Sequence, residues 1–128
     1  LEVRHQLSML QRRIAEGRDI VTEGRDQGSE VFPHAECKIF LTASPLERAR
    51  RRQQQLSEQG RTLALEEILR AQDQRDQEDQ SRPIGALRPA EDAVILDSDG
   101  LSAGEVVQHA IEIVQQAKET RDANDPGR

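Results

Sequence analysis

The sequence predicts a three-layer α/β fold, in which helices flank a parallel sheet. Three short apolar runs, at residues 20–23, 37–42 and 93–97, have the length and composition of buried strands. Amphipathic helical patterns precede, separate and follow these runs. Because strands that alternate with helices are typical of parallel sheets, we expect ligands to gather where the carboxyl ends of the strands meet.

Composition restricts the core and the partners of this fold. The 128 residues suffice for one domain or part of one, and only 34% are hydrophobic and 2% aromatic, so the core must be aliphatic. A formal net charge of -6 argues against a nucleic-acid partner or an anionic membrane surface bound by bulk electrostatics. No run approaches the roughly 18 apolar residues of a membrane span.

Cysteine and histidine usage bears on compartment and metal binding. Cys37 is the only cysteine, so no disulfide can form within the chain, and the cytoplasm is the expected location. His5, His34 and His109 lie far apart, without metal-ligand spacing around them. The sequence therefore predicts no metal site.

A first helix is predicted over residues 3–16, and the first strand follows it. Four apolar residues form one stripe of this helix, at spacings of four, three and four: Val3, Leu7, Leu10 and Ile14. The strand ends at Gly24, a residue type that lets the backbone turn sharply, and Arg25 and Asp26 follow. These two are either solvated charges on a surface turn or a ligand site. In a ligand site the arginine would bind a phosphate and the carboxylate would accept from an amino group or a sugar hydroxyl.

A second helix is predicted over residues 45–59, before Gly60. Ser44, Pro45 and Glu47 match the cap, the first-position proline and the capping glutamate that begin a helix. One stretch of this helix is densely basic, with Arg48, Arg50, Arg51 and Arg52. Such a run is usually a solvated face, and anion binding is the alternative.

A third helix is predicted over residues 65–82, and its second half is too polar for a core. That half contains the pattern R-D-x-x-D-x-x-R, which begins at Arg75. Residues three apart share a helix face, so Asp79 and Arg82 point the same way. This pair is either a surface ion pair or a reader of a ring edge with both donors and acceptors, such as that of cytosine.

The C-terminal part is predicted to form a loop over residues 83–89, a strand over residues 93–97 and a final helix that begins near Leu101. Apolar residues lie along one side of this helix, at Val106, Val107, Ala110, Ile111 and Val114. Residues 118–128 are polar and end in Pro-Gly-Arg, so we expect a frayed tail after a domain that ends near residue 117.

Three blocks of the sequence together resemble bacterial cytidylate kinase, a nucleoside monophosphate kinase of the P-loop family. They read TEGRDQGSEVFPHAECKIFLTASPLERARRR, RDQEDQSRPIGAL and AVILDSDGLSAGEVV. The resemblance covers roughly residues 3–117 in consistent order. It implies a P-loop kinase-like parallel sheet and a cytoplasmic enzyme that transfers the γ-phosphoryl group of ATP, with magnesium, to CMP or dCMP.

The resemblance also implies roles for individual residues on the CMP side. Arg25 resembles the arginine that grips the CMP phosphate, and Asp79 resembles the carboxylate that accepts from the sugar hydroxyls. Arg4, Asp26 and Arg82 resemble the residues that contact cytosine. Catalysis in such enzymes is mostly positioning and neutralisation of charge on the transferred group, so no residue of this chain is assigned a separate catalytic role.

On the ATP side, residues 50–82 resemble the lid of the family. Arg51 and Arg75 resemble lid arginines that close over the ATP phosphates. The family's ATP-phosphate loop, GxxxxGK[ST], does not occur in this sequence, because none of the eight glycines is followed by lysine. The resemblance places that loop and a first, central strand before Leu1, so we expect an incomplete sheet and an inactive fragment.

Two other functions stay open at this point. The chain could belong to a kinase for another nucleoside monophosphate, or be a non-catalytic remnant that binds nucleotide or a partner protein. The missing central strand also has a structural consequence. If the chain folds alone, residues 20–23 and 37–42 must pair with each other or be bridged by a strand from another molecule, because unpaired buried backbone is costly.

Overall fold

The chain adopts an α/β fold with a parallel sheet, as its sequence predicts. A computed structural model describes residues 2–82, 87–125 and 127. The elements are α1 (Glu2–Ala15), one turn of π-helix (Gln27–Val31), β1 (Ile39–Thr42), α2 (Pro45–Glu58), α3 (Leu65–Ser81), β2 (Val94–Asp97) and α4 (Ala103–Asn124). Within the described residues the sheet has two strands, β1 and β2, paired in parallel with Ile39 opposite Val94.

Residues 20–23 do not form the predicted strand. Their backbone is irregular, and Val21 is 101% exposed. No strand among the described residues lies beside them, and β-structure requires a hydrogen-bonded neighbour. The expected strand at residues 20–23 is therefore wrong for this chain, and the first of the two alternatives, direct pairing of residues 20–23 with residues 37–42, does not occur among the described residues. The three-layer arrangement and the bridging by another molecule stay predictions.

The aliphatic core lies between α2 and α3. The predicted start of α2 is confirmed, because the hydroxyl of Ser44 accepts the backbone N–H of Glu47 at 3.2 Å and proline follows the cap. Three residues form the buried cluster between the two helices, and further leucines pack against it: Ala49, Leu56 and Ile68, then Leu63, Leu65 and Leu69. The two helices thus form a hairpin with its own small core.

Helix α4 lies against β2 and extends further than predicted. Ser102 and Glu105 form a reciprocal capping box at its start. The helix continues to Asn124, so residues 118–124 are helical, and the domain end near residue 117 with a frayed tail stays a prediction. Residues 126 and 128 of that tail, and residues 83–86 of the predicted loop, lie outside the described residues; residues 87–90 are irregular, as a loop should be.

Several apolar faces of the described part are uncovered. The predicted stripe on α1 exists, but its members Val3, Leu7 and Ile14 are 73%, 52% and 57% exposed. Leu41 of β1 and Ile95 of β2 are also more than half exposed. The α2–α3 hairpin therefore has a core of its own, whereas α1 and much of the sheet leave apolar side chains in solvent, with Leu96 of β2 buried.

Candidate functional site

The turn after residue 23 needs glycine for two physical reasons. Gly24 has a φ of +157°, a conformation that residues with a side chain rarely adopt. A Cβ atom at this position would also lie 2.8 Å from Cγ of Gln27. The π-helical turn that follows is tied to α1 by Arg12, whose Nε donates to the carbonyl of Val31 at 2.6 Å. Arg25 and Asp26 are thus presented from a constrained backbone.

Asp79 of α3 joins two arginines. Its Oδ1 accepts from Nη1 of Arg25 at 2.6 Å and lies 3.4 Å from Nη1 of Arg82. The Asp79 side chain is 13% exposed, whereas those of Arg25 and Arg82 are 55% and 51% exposed. The buried carboxylate therefore holds two guanidinium groups whose remaining donors face solvent.

Asp26 forms the other ion pair of this loop. Its Oδ2 lies 3.9 Å from Nη1 of Arg4, which α1 provides. One ion-pair group contains Arg4 and Asp26, and the other contains Arg25, Asp79 and Arg82. The two groups are linked because Arg25 and Asp26 are adjacent in the chain. The five residues expected on the CMP side therefore fall into two linked groups, although they are far apart in sequence.

The two expected lid arginines have different environments. Nη1 of Arg51 donates to Oγ of Ser98 at 2.9 Å, and Nη2 donates to the Ser98 carbonyl at 2.8 Å. Arg75 is exposed, and neither a hydrogen bond nor an ion pair from its side chain reaches any described residue. The structure thus fastens Arg51 to the end of β2 and leaves Arg75 in solvent.

A bidentate ion pair that sequence patterns did not reveal joins α2 to α3. Nη1 and Nη2 of Arg48 donate to the two carboxylate oxygens of Asp76 at 3.2 and 2.7 Å. Both residues stand in patterns that the sequence shows, the basic run and the R-D-x-x-D-x-x-R pattern. Their pairing depends on how the two helices pack, and residue spacing along one helix carries no signal for that.

A cleft of about 380 Å³ lies at the carboxyl end of β1. It brings together residues of both sequence patterns, and charged side chains from α2 and α3 line it: Arg48, Arg51, Asp76 and Asp79. Phe40, Leu41 and Leu87 add apolar wall. The position agrees with the expectation that a ligand site forms where parallel strands end.

Residues after β2 fix the start of α2 at this cleft. Oδ1 of Asp99 accepts the backbone N–H of Ser44 at 2.8 Å. That hydrogen bond, with a smaller contribution from the charge of Arg51, lowers the pKa of Asp99 below its ordinary value. Asp99 therefore stays ionised at neutral pH and ties the cap of α2 to the sheet.

The described part of the chain offers neither a metal-ligand cluster nor a membrane-spanning helix. No three His, Cys, Asp or Glu side chains come together there as a metal site would require. None of its helices is long and apolar enough to cross a membrane. Magnesium that accompanies ATP is commonly held by phosphate oxygens and waters, with only one or two protein carboxylates.

Chemically, the arrangement suits a ligand that carries both anionic oxygens and polar ring or sugar edges. Arg25, Arg82 and Arg51 supply planar donors, and each has a carboxylate within reach that limits its free charge. Asp26 and Asp79 supply carboxylate acceptors beside Arg4 and Arg25. Neither a redox group nor a nucleophile with an adjacent base is formed by these residues.

Comparison with known proteins gives a consistent result. The family model described as "Cytidylate kinase" matches residues 1–116. The chain is 58% identical over 122 residues to a cytidylate kinase of Rhodopirellula baltica, which covers 95% of this chain and 53% of that protein. It is 41% identical over 119 residues to a cytidylate kinase of Aquifex aeolicus, with 93% and 54% of the two chains covered.

A third relative is larger. A bifunctional pantoate ligase/cytidylate kinase of a Synechococcus species is 48% identical over 117 residues, which is 91% of this chain and 22% of that protein. The chain spans about half the length of the curated cytidylate kinases that it matches. The resemblance carried by the three sequence blocks is confirmed by these matches, and the chain belongs to the cytidylate kinase family.

Proposed function

We propose that this chain provides the nucleoside-monophosphate site of a cytidylate kinase, which transfers the γ-phosphoryl group of ATP to CMP or dCMP and forms CDP or dCDP. Family membership supports the reaction class. The observation that carries the proposal is the single carboxylate of Asp79 that joins Arg25 and Arg82 at distances of 2.6 and 3.4 Å. A phosphate and a polar ring edge could be bound by one such group.

The CMP side follows from the two linked ion-pair groups. Arg25 binds the phosphate of CMP with its free N–H groups, since a guanidinium matches two phosphate oxygens. Asp79 accepts from the sugar hydroxyls with carboxylate oxygen that its arginines leave available. Arg4, Asp26 and Arg82 supply the donors and acceptors that cytosine requires along its edge.

The ATP side is only partly present in this chain. Arg51 lines the cleft and Arg75 is exposed on α3, so both could contact phosphate oxygens of ATP. Magnesium, when bound with ATP, neutralises phosphate charge and orients the transferred group. The sequence contains no GxxxxGK[ST] loop to hold those phosphates, so we expect this chain alone to show no phosphoryl transfer.

Reconstitution tests the function directly. This chain would be assayed with ATP and magnesium, alone and after addition of the part of the R. baltica cytidylate kinase that lies outside the matched region. We expect CDP formation only in the mixture, with CMP and dCMP preferred over UMP and AMP. Turnover by this chain alone, or preference for UMP or AMP in the mixture, would contradict the proposal.

A matched pair of arginine variants locates the site. In the reconstituted mixture, Arg25→Gln removes the guanidinium proposed to bind the CMP phosphate and should lower kcat/KM for CMP at least about 100-fold, because a charge-assisted bidentate contact is lost. Arg61→Gln removes the same charge from an exposed residue outside the site and should change kcat/KM less than twofold. Equal losses in the two variants would show that only net charge matters.

A second candidate is a non-catalytic nucleotide-binding protein, because Arg25 and Asp79 could bind a nucleotide without phosphoryl transfer. In that case the chain would bind CMP measurably by calorimetry, and the mixture with the relative's segment would form no CDP. Binding that Arg25→Gln abolishes, without turnover in any mixture, would make this the leading function.

A further inference from the structure

Ser98 is a buried polar residue that the proposed CMP site does not use. It follows β2 directly and is 1% exposed. Its backbone N–H and its hydroxyl both donate to the carbonyl of Thr42, at 2.8 and 2.9 Å. A buried hydroxyl that donates in a fixed direction has fixed lone pairs as well, so Ser98 can orient whatever donates to it.

The group that donates to Ser98 is the guanidinium of Arg51. Nη1 reaches the Ser98 hydroxyl and Nη2 reaches the Ser98 carbonyl, at 2.9 and 2.8 Å. On its third side, Nε donates to Oε1 of Glu47 at 3.1 Å, one turn earlier on α2. All three nitrogens of this guanidinium are therefore anchored, although the Arg51 side chain is 43% exposed.

These contacts leave part of the guanidinium available to a ligand. A guanidinium carries five N–H donors, and the three hydrogen bonds of Arg51 leave one on each Nη nitrogen. Arg51 and Ser98 both line the cleft at the carboxyl end of β1. Two N–H groups on neighbouring nitrogens, held at a cleft wall, match an anionic oxygen or a pair of them.

We propose that Ser98 is a positioning residue, which holds Arg51 fixed against the end of the sheet so that it binds ATP phosphate as a static ligand. The identity of the anion rests on the proposed function; the anchoring of Arg51 does not. The resemblance implies a lid arginine that moves when ATP binds. The network from Thr42 through Ser98 to Arg51 instead connects that arginine to the hydrogen-bonded ends of β1 and β2.

The first test measures the anchoring in the whole chain without substrate. NMR spectra of nitrogen-15-labelled protein report rotation of the Arg51 guanidinium about its Nε–Cζ bond. We expect slow rotation with resolved Nη signals in the wild-type chain, and averaged signals in Ser98→Ala. Ser81→Ala also removes a serine hydroxyl that donates to a backbone carbonyl, but it lies at the end of α3 and should leave Arg51 unchanged. Averaged Arg51 signals in the wild type, or resolved signals in Ser98→Ala, would overturn the proposal.

The second test uses the reconstituted enzyme and separates the two substrates. Ser98→Ala should raise KM for ATP about tenfold and leave KM for CMP within twofold of the wild-type value, because one hydrogen bond to a charged group is lost on the ATP side. Added to Arg51→Ala, it should have no further effect, since it acts through that arginine. Equal rises in both KM values, or an additive loss in the double variant, would overturn the proposal.

The two tests distinguish failure of this inference from failure of the proposed function. If the mixture forms no CDP, the kinase proposal fails, and the NMR spectra still decide whether Ser98 holds Arg51. If CDP forms normally and Ser98→Ala changes neither KM, the kinase proposal stands and the positioning role is wrong.

Discussion

The α2–α3 hairpin and the two-stranded sheet with α1 are built from similar aliphatic residues, but the hairpin buries a cluster of them, whereas Leu96 is the buried aliphatic residue among the described residues of the sheet and α1. Leu56 is 3% exposed and Ile68 is 6% exposed in the hairpin, whereas Leu10 of α1 and Ile95 of β2 are 52% and 53% exposed. The hairpin can close because its partners are neighbours in sequence, joined by a short segment at residues 59–64. The exposed apolar residues of the sheet and α1 could be covered only by segments that are not their neighbours in sequence.

Polar contacts show the same division. Arg48 and Asp76 link the two helices of the hairpin by two hydrogen bonds. Side chains at the strand ends, in the Gly24 turn and in the segment before β2 contact the hairpin, among them Ser98, Asp99, Arg25 and Arg88. The proposed ligand residues therefore lie where a well-packed region meets a poorly covered one, and this is a common position for a site that must close on a substrate.

The largest expected effect comes from the hairpin core. Leu56→Ala should destabilise α2 and α3 by about 3 kcal/mol, because it removes a buried side chain and leaves a cavity. Val21→Ala, at a fully exposed position, should change stability by less than about 0.5 kcal/mol. Hydrogen exchange of the α2 and α3 amides measures both. If the two variants lost similar amounts of stability, the hairpin would not be better packed than the rest of the chain.

A smaller effect is expected from the ion pair between the helices. Asp76→Asn should destabilise the hairpin by about 1 kcal/mol, since both side chains are roughly one-third exposed and solvent screens the pair. Asp73→Asn, on an exposed part of α3, is the matched control and should have less effect. Urea denaturation followed by helical circular dichroism compares the two variants. If Asp76→Asn is neutral, the apolar core alone holds the hairpin.

The smallest effect on stability is expected from the hydrogen bond between Asp99 and the Ser44 N–H, which links the sheet region to the hairpin. This effect should depend on pH. The pKa of Asp99 is lowered in the folded chain by the Ser44 N–H, so its ionised form favours folding. That contribution is present above the ordinary value of 3.8 and is lost as the pH falls through the lower folded pKa. The difference in Tm between wild type and Asp99→Asn should therefore be largest near neutral pH and vanish in acid. If the Tm difference between the two proteins grew on acidification, the ionised form of Asp99 would not be the one that stabilises the folded chain.

Local sequence signals predicted the helices well and the sheet only in part. The Ser44 cap and the proline at position 45 located the start of α2, and the Ser102–Glu105 capping box lies at the start of α4. These signals act within one turn of the chain. The run at residues 20–23 has the composition of a strand, but a strand also requires a neighbour, and composition does not report whether one is there.

The site was predictable to the extent that its residues lie in short patterns. The turn with Arg25 and Asp26 and the pattern that contains Asp79 and Arg82 could be found from residue types and spacing. The contact between Arg25 and Asp79, across 54 positions, follows from the fold and was accessible only through the family resemblance. Ser98 gave no signal at all, because a single serine after an apolar run is common and its importance lies in the backbone carbonyl that it meets.

Gly24 sets a limit on the sequences that this chain can tolerate. Its φ of +157° and the nearby Gln27 side chain disfavour every other residue type, whatever the chemistry of the replacement. Gly60, by contrast, has a φ of +76°, and a Cβ atom added there would meet nothing within 4 Å, so asparagine could replace it at modest cost. In a library of random variants selected for folding, position 60 should drift while position 24 stays glycine. Diversity around the proposed phosphate site must then come from its charged neighbours, because the turn that presents them cannot vary.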